Sequence, residues 1–312
     1  MSESGTGQQL FVLGHPVAHS KSPALHNALY RAMGLSWEYG LADLPTPADA
    51  QEFLAARRFL GVNVTMPYKP VALAEADAKA SSAKLALGAN VLAVKDGRLV
   101  AYNTDGHGCV MALERTGFRF EGASVVVCGT GPTSLSILHA CAVAGAQDVV
   151  LLSRSKDRAQ SELQGYADRL EHLARAASAL PTAALGRERY ARLLKDVRFR
   201  FGAYDTSRQA LEGADLIVNA TPLGMGEDDP APFDTALLHG DQTVLQAVYG
   251  HGTSALERAA RQVGAAFFDG RGMLVGQAVA TARILFDLNE VPCDLSDGQI
   301  FDIMAQGAGF DL

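Results

Sequence analysis

Short runs of apolar residues alternate along the chain with segments in which apolar residues recur every three to four positions. The runs at 10–13, 60–65 and 124–128 are bounded by glycine or polar residues, a pattern typical of buried strands. Between the strands, residues such as Leu25 and Leu29 recur with a helical period. This alternation predicts βαβ units, and therefore a fold of the α/β class with parallel strands.

The first third of the chain also carries a signal for antiparallel pairing. Apolar stretches at 92–94 and 99–101 flank Asp96-Gly97, a dipeptide that favours a tight hairpin. We therefore expect a mixed sheet in this part of the chain. A second alternating series of strands and helices begins near Gly122. Its fully apolar first strand is typical of a parallel sheet covered on both faces.

Two such series of strands and helices in 312 residues predict two domains. We expect one domain to comprise 1–105 completed by C-terminal helices at 273–312, and the other to comprise 106–272. The stretch 156–204 is charged and helical in pattern, with a break at Pro181. We interpret that stretch as a surface elaboration of the second domain.

Composition and charge narrow the class of protein. Hydrophobic residues make up 48% of the chain and charged residues 20%, and the net charge of −7 argues against a nucleic-acid-binding protein. No apolar run approaches the roughly 20 residues of a membrane span, and no signal peptide is evident, so we expect a cytoplasmic protein. The cysteines form no CxxC pair, which predicts neither a metal site nor disulfides; they are Cys109, Cys128, Cys141 and Cys293.

A glycine-rich turn follows the apolar strand at 124–128. It reads Gly129-Thr130-Gly131-Pro132-Thr133 and leads into a helical pattern. In a dinucleotide site, the first glycine makes the tight turn, and the second lets the backbone approach a pyrophosphate at the positive end of a helix. The usual third small residue is missing, and Pro132 lacks an N–H donor although it suits a first helical position. The turn therefore predicts a pyrophosphate site with altered contacts.

The end of the next strand bears on the choice of dinucleotide. It reads Ser153-Arg154-Ser155-Lys156, with Arg158 close behind. NAD enzymes usually place Asp or Glu here to bind the ribose hydroxyls, whereas a guanidinium favours the 2′-phosphate of NADP. We therefore expect NADP rather than NAD. The alternative for these residues is a solvated, basic helix start.

Three further segments place polar side chains at the ends of predicted strands, where α/β sheets bind their ligands. They are HPVAHSKSPALHN at 15–27, GVNVTMPYK at 61–69 and NTDG at 103–106. Their hydroxyls and amides suit a polyol acid, and they also offer an acid–base pair. In the first segment we expect Ser22 to cap a helix whose first residue is Pro23.

These motifs together resemble those of the shikimate/quinate dehydrogenase family, which includes the shikimate 5-dehydrogenases. The motifs HSxSPxxHN, NVTxPxK, NTDG, GxG, NATPxGM (219–225) and GxxMLxxQ (270–277) occur in this order and span nearly the whole chain. The resemblance implies an oxidoreductase of aromatic amino acid biosynthesis (the chorismate pathway). Its reaction would be the reversible, NADP-dependent reduction of 3-dehydroshikimate to shikimate by hydride transfer.

The resemblance also implies the roles of single residues. Lys69 and Asp105 would form the catalytic pair, because a positioned ammonium stabilises and protonates the oxygen of a carbonyl under reduction. The implied substrate contacts are Ser20 and Ser22 for the carboxylate, Asn63, Thr65, Asn90 and Gln277 for the ring hydroxyls, and Tyr249 near the carboxylate. The expected cofactor contacts are Gly129, Thr130, Gly131, Pro132, Thr133, Ser153, Arg154, Ser155, Arg158, Thr221, Met225, Gly270 and Met273. For His15, His19 and His26 we expect packing or local hydrogen bonds.

The implied architecture is a substrate domain with a mixed sheet, a Rossmann-like NADP-binding domain, and a catalytic cleft between them. Departures from the family pattern cluster on the cofactor side. They include Pro132-Thr133 after the glycines, Gln246 where an acidic residue is usual, His251 in place of a proline and Ser153 in place of an Asn. The segment around Asn90 is also one residue short. Alternatives are a quinate or dual quinate/shikimate enzyme, perhaps using NAD, and a non-catalytic ligand-binding homologue. We expect no metal, no nucleic acid and no membrane partner, and a monomer or homodimer.

Overall fold

The computed structural model describes residues 9–177, 192–193 and 195–312. The chain divides into two compact units. The first unit is Met1–Gly108 with Leu274–Leu312, and the second is Cys109–Met273. Most of the helical stretch expected after Lys156 is described, but its predicted break at Pro181 lies outside the described residues.

The first unit contains a mixed six-stranded sheet in the order β2-β1-β3-β5-β6-β4. Its strands are β1 (Gln9–Gly14), β2 (Glu38–Asp43), β3 (Gly61–Val64), β4 (Ala78–Lys79), β5 (Val91–Lys95) and β6 (Arg98–Tyr102). Strand β1 is parallel to β2 and β3, whereas β5 is antiparallel to β3 and β6. The predicted hairpin is confirmed, since Lys95 pairs with Arg98 and both Asp96 and Gly97 have positive φ.

The second unit contains a parallel six-stranded sheet in the order β12-β11-β10-β7-β8-β9. Its strands are β7 (Ser124–Cys128), β8 (Asp148–Ser153), β9 (Arg198–Ala203), β10 (Leu216–Asn219), β11 (Thr243–Gln246) and β12 (Ala266–Phe268). Strand β7 lies between β8 and β10, so the chain order reverses there. In open α/β sheets, such a reversal at the carboxyl ends of the strands is where ligands bind.

Helices connect the strands of both sheets. The helices of the described residues are α1 (Ser22–Ala32), α2 (Pro47–Ala56), α3 (Lys69–Glu75), α4 (Ser81–Ala86), α5 (Asp105–Arg115), α6 (Pro132–Val143), α7 (Lys156–Ala177), α8 (Arg208–Glu212), α9 (Ala255–Val263), α10 (Gly270–Leu288) and α11 (Asp297–Gly307). The chain passes from the first unit to the second within α5 and returns within α10.

Within the first unit, α5 and α10 approach closely at a pair of glycines. A Cβ atom on Gly276 would lie 2.7 Å from the carbonyl oxygen of Gly108 and 2.9 Å from its Cα. Real Cβ atoms do not come so close to backbone, so only glycine allows this crossing. The contact lies next to Gln277 and one helical turn beyond Asp105.

Each sheet buries an apolar core of its own. In the first unit, side chains of β1, β3, β5 and β6 are covered by α2 and α3; the largest are Leu13, Val62, Val64, Leu92 and Leu99. In the second unit, the core includes Val126, Val150, Leu152, Ile217 and Val244. Each such side chain contributes roughly 1.5–3 kcal/mol when it is fully buried. These cores fix the strand ends, and thus the loops that carry the polar motifs.

In the described part of the chain, no helix is both long and apolar enough to cross a membrane. Residues 9–177, 192–193 and 195–312 likewise contain no group of three or more His, Cys, Asp and Glu side chains placed to hold a metal ion.

Candidate active site and dinucleotide site

Lys69 and Asp105 form an ion pair in the first unit. The ammonium of Lys69 donates to Oδ2 of Asp105, and the two side chains are only 13% and 7% exposed. The other carboxylate oxygen, Oδ1, accepts a hydrogen bond of 2.9 Å from Nδ2 of Asn90. Shielding from water strengthens the attraction within such a pair and holds both groups in one geometry.

The local sequence explains why both residues stand at the first position of a helix. Pro70 occupies the first turn of α3, where its missing N–H has no helical partner to lose. At the start of α5, the side chain of Asn103 accepts from the backbone N–H of Asp105 at 3.1 Å and donates to the carbonyl of Gly88 at 2.8 Å. An Asp in the first turn is also favoured by the helix dipole.

Three amide side chains that the sequence singled out meet beside this pair. Oε1 of Gln277 lies 3.3 Å from Nδ2 of Asn63 and 3.3 Å from Nδ2 of Asn90. Gln277 in turn donates from Nε2 to the carbonyl of Leu274 at 2.8 Å. All three amides are buried. The structure therefore joins the predicted catalytic pair and three of the predicted substrate contacts into one cluster, which we call the amide cluster.

Two threonines that the sequence analysis did not assign also belong to the amide cluster. The backbone N–H of Thr104 donates to Oδ1 of Asn90 at 2.7 Å. Thr281 accepts from Nδ2 of Asn63 at 3.1 Å and donates to the carbonyl of Gln277 at 2.9 Å. Thr104 lies inside the NTDG motif, and Thr281 stands four residues after Gln277, on the same helix face. Both were therefore within reach of sequence reasoning.

The predicted carboxylate contacts, Ser20 and Ser22, lie at the start of α1. The expectation that Ser22 caps this helix is wrong: the cap position is Lys21, whose side chain makes no capping hydrogen bond, and Ser22 is the first helical residue. Instead, the hydroxyl of Ser20 accepts from the backbone N–H of Ser22 at 3.3 Å. Thr65 follows β3, and its backbone N–H donates to the carbonyl of Leu13 at 2.9 Å.

His15 and His26, both in the first motif, have local partners, as expected. Nδ1 of His15 lies 2.7 Å from Oδ1 of Asp43, and this hydrogen bond is the main reason why the pKa of Asp43 is lowered. His26 is fully buried, and burial lowers its pKa to about 3. Its Nδ1 lies 3.2 Å from the hydroxyl of Tyr30. His26 is therefore a neutral packing residue at neutral pH.

The glycine-rich turn in the second unit has the shape that a pyrophosphate site requires. Gly129 has a φ of 112°, and a Cβ there would lie 2.7 Å from the hydroxyl of Ser134. Gly131 is the cap of α6 and Pro132 is its first residue, as predicted. A Cβ on Gly131 would meet no atom within 4 Å, so open space adjoins this helix terminus. The turn thus fits a pyrophosphate, with Thr130 and Thr133 flanking the glycine and the helix start.

The basic corner after β8 adjoins this turn. Arg154 is exposed. The hydroxyl of Ser153 accepts from the backbone N–H of Ser155 at 3.0 Å, and that of Ser155 accepts from the backbone N–H of Arg158 at 3.3 Å. The two serines therefore hold the backbone of the segment 153–158, and Arg154 is an exposed cation within it.

Tyr204 is a residue of this region that the sequence analysis missed. It follows β9, and the register that pairs Ser153 with Ala203 places it next to Arg154. Burial raises the pKa of Tyr204, while the charge of Arg154 and the backbone N–H of Gly129 act on it in the opposite direction. Its hydroxyl thus lies near both predicted cofactor contacts. No motif marks it, because the strand pairing alone brings it there.

The loop after β10 carries Thr221 and Met225 and is fixed at both ends. At its start, Oδ1 of Asn219 accepts from the hydroxyl of Thr221 at 2.6 Å. At its end, Oδ2 of Asp229 accepts from the backbone N–H groups of Gly224 and Gly226, each at 2.9 Å. These N–H groups, with Gly226 the stronger, lower the pKa of Asp229.

The remaining predicted contacts of the second unit lie around the end of β11. Oε1 of Gln246, which departs from the family pattern, accepts from the hydroxyl of Ser254 at 2.7 Å. Tyr249 follows the strand and is half-buried. Gly270 and Met273 are buried, and a Cβ on Gly270 would collide with the carbonyl of Ala247. Gly270 is therefore required by packing, and its predicted cofactor contact stays a prediction.

The sequence is similar to a known protein family and to curated proteins. Residues 12–92 match the family described as "Shikimate dehydrogenase substrate binding domain". The chain is 36% identical over 287 residues to a shikimate dehydrogenase (NADP(+)) of Symbiobacterium thermophilum, covering 90% of each chain. Both the family and the curated relative agree with the resemblance found in the motifs.

Solved structures are similar over nearly the whole chain. A shikimate 5-dehydrogenase from Thermus thermophilus, in complex with NADP(H) and shikimate, superposes with a TM-score of 0.73 at 25% identity, covering 96% of this chain and 99% of that one. A quinate dehydrogenase from Corynebacterium glutamicum in complex with NAD has a TM-score of 0.75 at 24% identity, with coverage of 96% and 99%. The latter likeness shows the fold alone. The predicted fold class is confirmed.

Proposed function

Because the chain belongs to the shikimate/quinate dehydrogenase family, we propose that it reduces 3-dehydroshikimate to shikimate reversibly, with NADPH as the hydride donor. Membership of the family confirms the predicted class of enzyme, an oxidoreductase of the shikimate dehydrogenase type. Curated relatives at 36% and 35% identity carry NADP(+) in their names, which supports the predicted cofactor.

The single observation that carries the proposal is the ion pair of Lys69 and Asp105 at the edge of the amide cluster. A cyclic polyol requires several hydrogen-bond donors and acceptors close to one acid–base pair, and the cluster supplies them from Asn63, Asn90 and Gln277. Solvated lysines are the usual case in proteins, so a lysine that is only 13% exposed and paired calls for a function.

In the proposed reaction, Lys69 holds the ketone oxygen and gives it a proton as negative charge develops there. Asp105 keeps the ammonium in place through Oδ2 and offers its carboxylate to the neighbouring hydroxyl. NADPH, when bound, supplies the hydride. In the reverse direction Lys69 takes the hydroxyl proton back, so the same pair serves both directions.

The substrate carboxylate would bind at the start of α1. Ser20 and Ser22 provide hydroxyls there, and the terminus of an eleven-residue helix favours an anion. The hydroxyl of Ser20 already accepts from the backbone N–H of Ser22, so this serine lies directly at the helix terminus. Thr65 and the amide cluster would take the ring hydroxyls, and Tyr249 would lie near the carboxylate.

The cofactor would bind at the glycine-rich turn of the second unit. The pyrophosphate would face the terminus of α6, where Gly131 leaves open space. Arg154 would pair with the 2′-phosphate, because a guanidinium binds a phosphate through charge-assisted hydrogen bonds. The loop of Thr221 and Met225, which Asn219 and Asp229 hold, would border the nicotinamide side of the site.

A four-way assay tests the proposal. The purified protein is offered shikimate or quinate, each with NADP⁺ or NAD⁺, and kcat/KM is measured for all four combinations. We expect shikimate with NADP⁺ to exceed each other combination at least about tenfold, since one discriminating contact is worth about 1–3 kcal/mol. A preference for quinate or for NAD⁺ would assign the chain to the alternative branch of the family. Absence of turnover in all four would refute a dehydrogenase of either kind.

A further inference from the structure

The phenol of Tyr39 reaches the amide cluster from the edge strand β2. Tyr39 is buried, and its hydroxyl donates to Oδ1 of Asn63 at 2.8 Å. On its other side, Nδ2 of Asn63 donates to the hydroxyl of Thr281 at 3.1 Å, and it lies 3.3 Å from Oε1 of Gln277 and 3.4 Å from the carbonyl oxygen of Asn90. The bond from Tyr39 therefore sets which end of the amide points into the cluster.

Tyr39 is itself held on two sides by the last two residues of the HSxSPxxHN motif. The side chain of Asn27 accepts from the backbone N–H of Tyr39 and donates to its carbonyl, both at 2.9 Å. These backbone groups belong to an edge strand, whose outer side pairs with no other strand of the described residues. The ring of His26 stacks on the phenol with centroids 4.3 Å apart and an interplanar angle of 3°.

We propose that Tyr39 is a positioning residue for substrate binding, which fixes the amide of Asn63 so that its N–H groups meet a ring hydroxyl of a cyclic polyol acid. This inference rests on the proposed function, in which Asn63 contacts the substrate. It also gives the His26-Asn27 end of the motif a role: these residues hold the phenol, and the phenol holds the amide.

The physical reason lies in the two ends of an amide group. Rotating Asn63 by half a turn would bring Oδ1 against Oε1 of Gln277 and the carbonyl of Asn90, and oxygens that only accept repel one another. Tyr39 adds a donor on the opposite side and polarises the amide, which makes its N–H groups better donors. Removing the hydroxyl leaves the buried oxygen of Asn63 without this donor and loosens the amide.

Tyr30 supplies a matched control within the same aromatic group. It is buried like Tyr39, and its hydroxyl lies 3.2 Å from Nδ1 of His26, with no hydrogen bond to the amide cluster among its described contacts. Phenylalanine at either position removes one buried hydroxyl and keeps the ring. A loss of stability common to both variants therefore reports packing, whereas a change specific to Tyr39→Phe reports the bond to Asn63.

The test measures kcat and KM for Tyr39→Phe, Tyr30→Phe and the wild type, using whichever cyclic polyol acid the wild type turns over best. We expect Tyr39→Phe to raise the KM of the polyol acid about tenfold, to leave the KM of the nicotinamide cofactor unchanged, and to change kcat by less than about twofold. Tyr30→Phe should leave all three constants near wild type. Equal effects of the two variants, or a fall in kcat alone, would overturn the inference.

A double-mutant cycle with Asn63→Ala completes the test. If Tyr39 acts through Asn63, Tyr39→Phe raises the KM no further in the Asn63→Ala background. A full additional rise in that background would show that Tyr39 acts by another route and would refute the proposal. A wild type that turns over no polyol acid would instead refute the proposed function, and the inference with it.

Discussion

Lys69 and Asp105 are each the first residue of a helix, and the ammonium of one donates to the carboxylate of the other. Both helices follow a strand end of the same sheet, so the pair is anchored by backbone on both sides. The helix termini fix the backbone of both residues, and the hydrogen bond joins their side chains. The chemistry proposed for the protein depends on this fixed pair.

Replacing Lys69 by alanine should remove the group that protonates the substrate oxygen. We expect kcat to fall by about 10²–10⁴-fold, the usual contribution of general acid catalysis, while the affinity for NADPH stays near wild type. Steady-state kinetics and a fluorescence titration with NADPH measure the two effects. Lys84→Ala, at an exposed position of α4, is the control. A Lys69→Ala variant with more than a tenth of the wild-type kcat would exclude Lys69 as the proton donor.

Reversing the charge of Arg154 should separate the two nicotinamide cofactors. We expect Arg154→Asp to weaken NADPH binding about 10–100-fold and to leave NADH binding nearly unchanged, because only NADPH carries the 2′-phosphate. Direct titration with each cofactor gives both dissociation constants. Arg98→Asp, on the exposed hairpin of the first unit, controls for net charge. An equal loss for both cofactors would remove Arg154 from the 2′-phosphate.

The stabilising effect of Asp229 on the loop of Thr221 and Met225 should depend on pH. Its pKa is lowered in the folded protein by the N–H groups of Gly226 and Gly224, so its stabilising effect is complete above the unfolded-state pKa of about 4 and disappears as the pH falls through the lower, folded-state value. We expect Asp229→Asn to be less stable than the wild type at pH 7 and to approach it in acid. Urea unfolding of both proteins at pH 7 and in acid gives the two free energies of unfolding. A difference between them that is the same at both pH values would contradict the prediction. At pH 7 the variant should also bind NADPH more weakly.

His26 should make the folded state sensitive to mild acid. Burial lowers its pKa from 6.5 to about 3, so the unfolded chain takes up a proton that the folded protein does not bind. Stability is therefore fully present above pH 6.5 and declines as the pH falls toward 3, by at most about 1.4 kcal/mol per pH unit.

The variant His26→Phe, which can keep a ring against Tyr39, tests this dependence. It should flatten the dependence of the unfolding free energy on pH between about 6.5 and 4. Thermal or urea unfolding of both proteins across that range is the measurement. His107→Phe, at an exposed position of α5, is the control for the loss of an imidazole. If the unfolding free energies of His26→Phe and the wild type fall in parallel as the pH is lowered, His26 does not cause the loss of stability in acid.

Sequence reasoning reached those parts of the site whose signals are local. The order of Gly129, Gly131 and Pro132 defines a turn and a helix start within a few residues, and the structure shows that turn and that start. Likewise, Asp96-Gly97 marked a hairpin. The roles that the motifs imply for substrate and cofactor residues stay predictions.

The features that sequence reasoning missed depend on distant pairing. Tyr39 and Asn63 are 24 positions apart, and only the pairing of β1 with both β2 and β3 brings them together. Tyr204 reaches Arg154 in the same way, through the register of β8 and β9. The prediction for the start of α1 failed for another reason: several residues there can begin a helix, and helix ends fray over one or two residues.

The glycine crossing of α5 and α10 has a consequence for any attempt to change the substrate range of this protein. Gln277 is an obvious position for a saturation library, yet its neighbour Gly276 is in van der Waals contact with the backbone of Gly108. A side chain larger than hydrogen there would wedge the helices apart and displace Gln277 and Asp105 together. Directed evolution of the site is therefore limited to exchanges that keep position 276 as glycine, and a recombination breakpoint between the two helices would be tolerated only if both glycines were inherited.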